Sequence, residues 1–213
     1  MTHFVLDKNP HQEYDENLSE LIKIMELTPL NSVMYSDPFL KTYFLNKLIL
    51  KTNTPIVYLD FDLLYSGYVV SNIISLPPCL TLYQPTKNEW IQTLKTILLH
   101  ISKQKSILII DSLNGFFNLY REKKDAGRLI NNFIMLLLCV GNMSKSNILL
   151  CSMSRKRTDE GWVLSITGRH VLETNHMTKI HLDYLDSKII ANILDEKDNP
   201  KKSFKIPIQS ELF

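Results

Sequence analysis

The sequence lacks a dominant charge of one sign, a long apolar run, paired cysteines and any internal repeat. Its 24 Lys and Arg against 22 Asp and Glu leave a formal charge of +2. That balance excludes a uniformly cationic surface and leaves room only for a local basic face toward nucleic acid. Cys79, Cys139 and Cys151 sit among apolar residues without CxxC spacing. Buried free thiols in a reducing compartment are therefore expected, rather than a disulfide framework or a metal site. The first residues, Met1 to Glu16, contain no signal-peptide apolar region. The longest apolar stretches, Phe133 to Val140 and Ile107 to Ile110, fall far short of the roughly 20 residues that cross a bilayer. The expectation is a soluble intracellular protein with no membrane partner.

What is present suits one α/β domain. The chain has 213 residues, 45% of them apolar and 22% charged, enough to bury a substantial core. Leu18, Leu21, Ile22 and Met25 share a helical face in a segment starting near Asp15 and stopped by Pro29. Ser32 to Tyr35 reads as a short strand and Pro38 to Lys51 as a helix with proline in its first turn. Ile56 to Leu59, Leu80 to Tyr83, Ser106 to Ile110 and Ile148 to Ser152 read as buried strands. Helices over Glu89 to Ser102 and Arg128 to Met143 separate the later ones. Strands apolar on both faces, alternating with helices, imply a parallel sheet covered on both sides. Val163–Leu164, Lys179 to Leu182 and Lys188 to Leu194 alternate in polarity and are expected to close the sheet as an antiparallel edge.

The order strand, turn, helix, strand, then an apolar strand ending in aspartate is that of a P-loop ATPase. The P-loop turn, GxxxxGK[ST], wraps phosphate in backbone N–H groups that its glycines allow to converge. Here the stretch is Tyr35-Ser36-Asp37-Pro38-Phe39-Leu40-Lys41-Thr42. Lys41 and Thr42 stand where the phosphate lysine and the magnesium hydroxyl belong, but Tyr35 and Leu40 fill the glycine positions. Pro38 removes an N–H, and Asp37 adds negative charge where phosphate would sit. Asp111 ends an apolar strand as a magnesium-holding aspartate would. Asp62 is the candidate catalytic acid, and Ser152 a candidate sensor of the terminal phosphate.

Taken in order, these pieces resemble the RecA/RadA recombinase family, in particular its short RadB-like paralogues without an N-terminal DNA-binding domain. The resemblance runs from about Ser32 to the C-terminus. Val57 to Asp62 looks like the strand leading to the catalytic acid, and Ser106 to Asn114 like the magnesium-aspartate strand. Phe117 to Arg128, with its Gly127–Arg128 pair, is similar to the first DNA-binding loop. Gly168 to Leu172 looks like the close of the second loop, and Asp195 to Ile208 like a final hairpin. The fold implied is a RecA-like P-loop NTPase fold: a three-layer αβα domain over residues 31–213 with a mostly parallel sheet and an antiparallel C-terminal edge, preceded by a helical extension over 1–30. The departures are both P-loop glycines, one glycine near Gly168, and the switch-strand glutamine, absent from Leu150 to Ser154.

The resemblance implies an accessory recombinase paralogue acting in homologous recombination and DNA repair, a pseudo-ATPase that binds another RecA-fold subunit and DNA, preferably single-stranded. It would reside in the cytoplasm of an archaeon or the nucleus of a eukaryote. ATP with magnesium, at Lys41, Thr42 and Asp111, is the cofactor the resemblance brings, and the missing glycines argue against it. Two basic clusters, Arg121, Lys123, Lys124 and Arg128, then Arg155, Lys156 and Arg157, follow neighbouring strands. They are candidate phosphate contacts, with Trp162 as a base-stacking surface. A non-catalytic assembly subunit of the Elongator kind, handling tRNA, and a KaiC-like ATPase are the alternative readings.

Overall fold

The structure is a computed structural model that describes residues 10–157, 161–164 and 177–208. Its elements are α1 (Pro10–Glu26), β1 (Leu30–Tyr35), α2 (Pro38–Lys51), β2 (Ile56–Asp60), α3 (Leu64–Val70), β3 (Leu80–Tyr83), α4 (Trp90–Lys103) and β4 (Ile107–Asp111). They continue with α5 (Leu113–Leu119), α6 (Ala126–Met143), β5 (Asn147–Arg157), β6 (Gly161–Leu164), β7 (Met177–Leu185), β8 (Lys188–Leu194) and β9 (Pro200–Pro207).

Strands with apolar residues at every position need cover on both faces, and the chain provides it. Ile56, Tyr58, Ile107, Ile109, Leu149 and Cys151 pack with Leu18, Leu21 and Met25 of α1 and Tyr43, Phe44 and Leu48 of α2. Their strand neighbours Val57, Leu59, Leu108, Ile110, Ile148 and Leu150 pack on the opposite face. There they meet Trp90 and Leu94 of α4, Phe116 of α5, and Ile130, Ile134 and Leu137 of α6. The period-2 alternation thus divides each strand between two helical layers. Through Leu18, Leu21 and Met25, α1 is packed into this core.

The strand order is β3-β2-β4-β5-β1-β7-β8-β9, with β6 paired to β5. From β3 to β7 every neighbour is parallel, and β8 and β9 close the sheet antiparallel. The domain is therefore α/β, with a mostly parallel mixed sheet and an antiparallel edge. Lys179 to Leu182, expected within that edge, lies in β7, which opens it: β7 is antiparallel to β8 on one side and parallel to β1 on the other. Residue 154 onward also differs from expectation. Arg155, Lys156 and Arg157 do not follow β5 but extend it, in a ladder with β6.

One described helix, α6, is long and apolar enough by length and composition to cross a membrane. Its buried stripe, Ile130, Ile134, Leu137, Leu138 and Gly141, is committed to the core.

Candidate nucleotide site and basic edge

Parallel strands bring their carboxyl ends to one edge, where α/β domains place their sites. β1 ends at Tyr35 and α2 begins at Pro38, so only Ser36 and Asp37 connect them. Two residues cannot wrap a phosphate. The start of α2 is instead closed by its own chain: the Asp37 side chain accepts from the Phe39 N–H at 2.8 Å. A carboxylate thus fills the place where a helix N-terminus would receive an anion.

Lys41, one turn into α2, is fully buried. Its ammonium donates to both oxygens of Asp111, at 2.6 Å to Oδ1 and 2.8 Å to Oδ2. Tyr58 donates its hydroxyl to Asp111 Oδ2 at 2.6 Å, and the Lys41 ammonium lies 5.1 Å from the centre of the Tyr35 ring. The Thr42 hydroxyl donates to the Pro38 carbonyl at 2.9 Å. The three residues expected to hold nucleotide and magnesium are thereby satisfied by the protein itself.

The electrostatics follow from burial. Burial alone would lower the Lys41 ammonium, but Asp111 carries it above its ordinary value. Burial pushes the Asp111 carboxyl up, while Lys41 and Tyr58 oppose that shift. Tyr35, Tyr58 and Cys151 are all raised, first by burial and next by the charge of Asp111. Burial thus favours the protonated form of these hydroxyls and this thiol; of the three cysteines expected to be buried only Cys151 is, Cys79 being half-buried and Cys139 exposed.

Asp60 stands beside Asp111 in the sheet register and is fully buried. Its Oδ2 accepts from the Ser66 N–H at 2.7 Å and from the Ser66 hydroxyl. Its Oδ1 is buried with no hydrogen-bond partner among the described residues. Asp62 is exposed beyond the end of β2, near enough to Lys41 and Tyr35 to act on both. The α5 backbone at Gly115 lies close against it. A Cβ on Gly115 would come within 2.7 Å of the Phe61 Cβ and collide with the Asp62 carboxylate. Ser152 is not on this face. Strand alternation gives Cys151 to the Lys41 side and turns Ser152 to the other, where its hydroxyl is buried without a hydrogen-bond partner among the described residues.

The sequence pattern points to Lys41, Thr42, Asp62 and Asp111, but not to Tyr35, Tyr58, Asp60 or Cys151 as their neighbours. A signal for Tyr58 and Asp60 exists. Both sit two residues apart in an apolar strand, hence on one face, where their polar ends need partners.

The first basic cluster lies between α5 and α6. Arg121, Lys123 and Lys124 are exposed in the short loop from Tyr120 to Asp125. Arg128, in the first turn of α6, pairs with Asp125 at 2.8 Å. Glu122 ties the loop to Lys87 at 2.7 Å, in the connection leaving β3. Arg155, Lys156, Arg157 and Trp162 have described backbones in β5 and β6, with Lys156 opposite Trp162; their side chains lie outside the described residues. Gly168 to Leu172 lies outside them as well.

No protein-family model matches this sequence, and no curated protein matches it either.

Proposed function

We propose that this chain is a RecA-like domain of the recombinase-paralogue type, serving as a scaffold that binds a partner subunit and nucleic acid without turning over ATP. The observation that carries the reading is the Lys41–Asp111 pair. Residues 70 apart in sequence, picked out as the two halves of an ATPase site, meet at the carboxyl edge of a parallel sheet. They meet as partners of each other, with Tyr58 completing the contact. The ATPase layout supports the ancestry, and the closed pair supports loss of the motor. The strand order adds support: β5 lies between β1 and β4, so the chain leaving β4 toward α5 and the extended end of β5 start from neighbouring strands.

That edge is where nucleic acid fits best. Arg121, Lys123 and Lys124 are exposed, and the β5–β6 ladder brings Arg155, Lys156 and Arg157 beyond the parallel sheet. Cations at such loops neutralise phosphates and release counterions, giving salt-sensitive binding without sequence preference.

Fluorescence anisotropy with a labelled single-stranded oligonucleotide across a salt series tests this. Replacing Arg121, Lys123 and Lys124 by alanine should weaken binding and flatten the salt slope by about 0.7 for each phosphate that is no longer neutralised. Replacing Arg155, Lys156 and Arg157 should do the same. Trp162→Ala should lower affinity at nearly constant slope, because stacking releases no counterions. If the protein fails to bind at low salt, or both triple variants bind like the parent, DNA contact is excluded. The assembly-subunit reading then replaces it.

A further inference from the structure

The loop between α5 and α6 keeps its cations free by engaging its acids elsewhere. Glu122 pairs with Lys87 at 2.7 Å and Asp125 with Arg128 at 2.8 Å, both partners lying outside the loop. Arg121, Lys123 and Lys124 are left exposed, without an ion-pair partner among the described residues. Backbone hydrogen bonds fix the turn that carries them. The Tyr120 N–H donates to the Phe117 carbonyl at 2.9 Å, the Lys123 N–H to the Tyr120 carbonyl at 2.8 Å, and the Ala126 N–H to the Lys123 carbonyl at 3.2 Å.

An aromatic side chain opens the same loop. Tyr120 is half-buried, its ring centre 5.9 Å from that of Phe133 and 6.2 Å from that of Phe116. Phe116 in turn stacks on Phe61 at 4.5 Å and meets Trp90 edge-on at 4.8 Å. Trp90 and Phe116 are fully buried. Tyr120 is therefore the rim of an aromatic group anchored in the core, next in sequence to the free cations. A ring held in this way has little rotamer freedom left to lose when another ring settles on it.

The two features select for different things. Cations neutralise the phosphates of single strands and duplexes alike. A base stacks on a side chain only when its face is available, and duplex bases give theirs up only at the cost of unstacking. We propose that Tyr120 makes this loop selective for single-stranded over duplex DNA, stacking an unpaired base beside phosphates neutralised by Arg121, Lys123 and Lys124. This rests on the reading of the edge as a nucleic-acid surface and adds to it the residue that discriminates between strands.

Fluorescence anisotropy of the full chain tests it with a labelled single strand of DNA and the same strand annealed to its complement. The parent should bind the single strand more tightly. Tyr120→Ala should weaken single-strand binding about 5- to 150-fold, the equivalent of about 1–3 kcal/mol for one stacked base, while duplex binding and the salt slope stay as in the parent. Tyr120→Phe should behave like the parent. Tyr120→Leu, which keeps an apolar contact with Phe116 and Phe133 but has no π face, should behave like Tyr120→Ala. The triple alanine variant of Arg121, Lys123 and Lys124 should instead weaken both forms and flatten the slope. A role confined to packing would be rescued by leucine, or would weaken single strand and duplex together, and either result overturns the proposal. So does a Tyr120→Ala variant that keeps the parent's selectivity; if the triple variant has meanwhile lost binding, the nucleic-acid reading stands and the stacking role alone falls. A parent that binds neither form overturns both.

Discussion

Lys41 and Asp111 form a close buried ion pair, and Asp111 Oδ2 also accepts from the Tyr58 hydroxyl. Such pairs cost desolvation on both sides, so their presence is weak evidence of net stabilisation, but removing one partner leaves the other charge stranded. Lys41→Met should accordingly destabilise the fold by about 3 to 5 kcal/mol. The double variant Lys41→Met/Asp111→Asn should recover most of that loss, because no buried charge is then left without a counterion. Urea unfolding of the parent, both single variants and the double variant measures the cycle. Additive losses would show that the two groups do not depend on each other. The sequence names both residues through the motif they imitate, but nothing in their spacing discloses that they close on each other. That depends on a two-residue connection between β1 and α2, and on an aspartate that caps the helix it precedes.

At the scale of elements, the antiparallel edge is stitched by a polar chain. Asp183 Oδ2 accepts from Asn192 at 2.8 Å and contacts His181 Nδ1 at 3.2 Å. Ser203 donates to Asn192 Oδ1 at 2.6 Å, so the chain spans β7, β8 and β9. Burial lowers His181 from its ordinary value of 6.5, with Asp183 opposing. The unfolded chain therefore binds a proton below about pH 6.5 that the folded protein resists. Stability should fall as pH drops from there toward the folded value, by at most about 1.4 kcal/mol per pH unit for one group. His181→Gln should flatten that part of the profile. A variant with the parent's slope would mean that another group sets it.

The same edge shows how much of the fold is legible in the chain. α2, β3 and β8 fall where the sequence places them, because proline, apolar runs and turn residues mark their ends. The alternating polarity of β7 points to the antiparallel edge, since alternation is the usual mark of a strand covered on one side. It alternates because Ile180 and Leu182 face the α2 layer while Lys179, His181 and Asp183 occupy the other face, although its pairing with β1 is parallel. α3 leaves no clear signal: it has Gly67 inside it, and Leu63 before it supplies no side-chain cap. α5 is legible in part. Ser112 caps it through the Gly115 N–H, and Leu113, Phe116 and Phe117 share its buried side. A glycine in seven residues hides the pattern.

The described molecule is a mostly parallel sheet with helices on both faces, nearly neutral in sum, with Arg121, Lys123 and Lys124 exposed between α5 and α6 and Arg155, Lys156 and Arg157 in the extension of β5. In this account the ATPase layout survives as architecture while its ligands have turned inward. Thr42, Lys41 and Asp111 are engaged with Pro38 or with each other and Tyr58, and the first turn of α2 holds its own carboxylate. For nucleotide to bind, magnesium and phosphate would have to displace a buried ion pair and a helix cap together. Isothermal titration of the intact protein with Mg-ATP tests this most directly. The account predicts no saturable heat up to millimolar nucleotide. A magnesium-dependent dissociation constant in the micromolar range, abolished in Thr42→Ala, would show that the site opens and would contradict it.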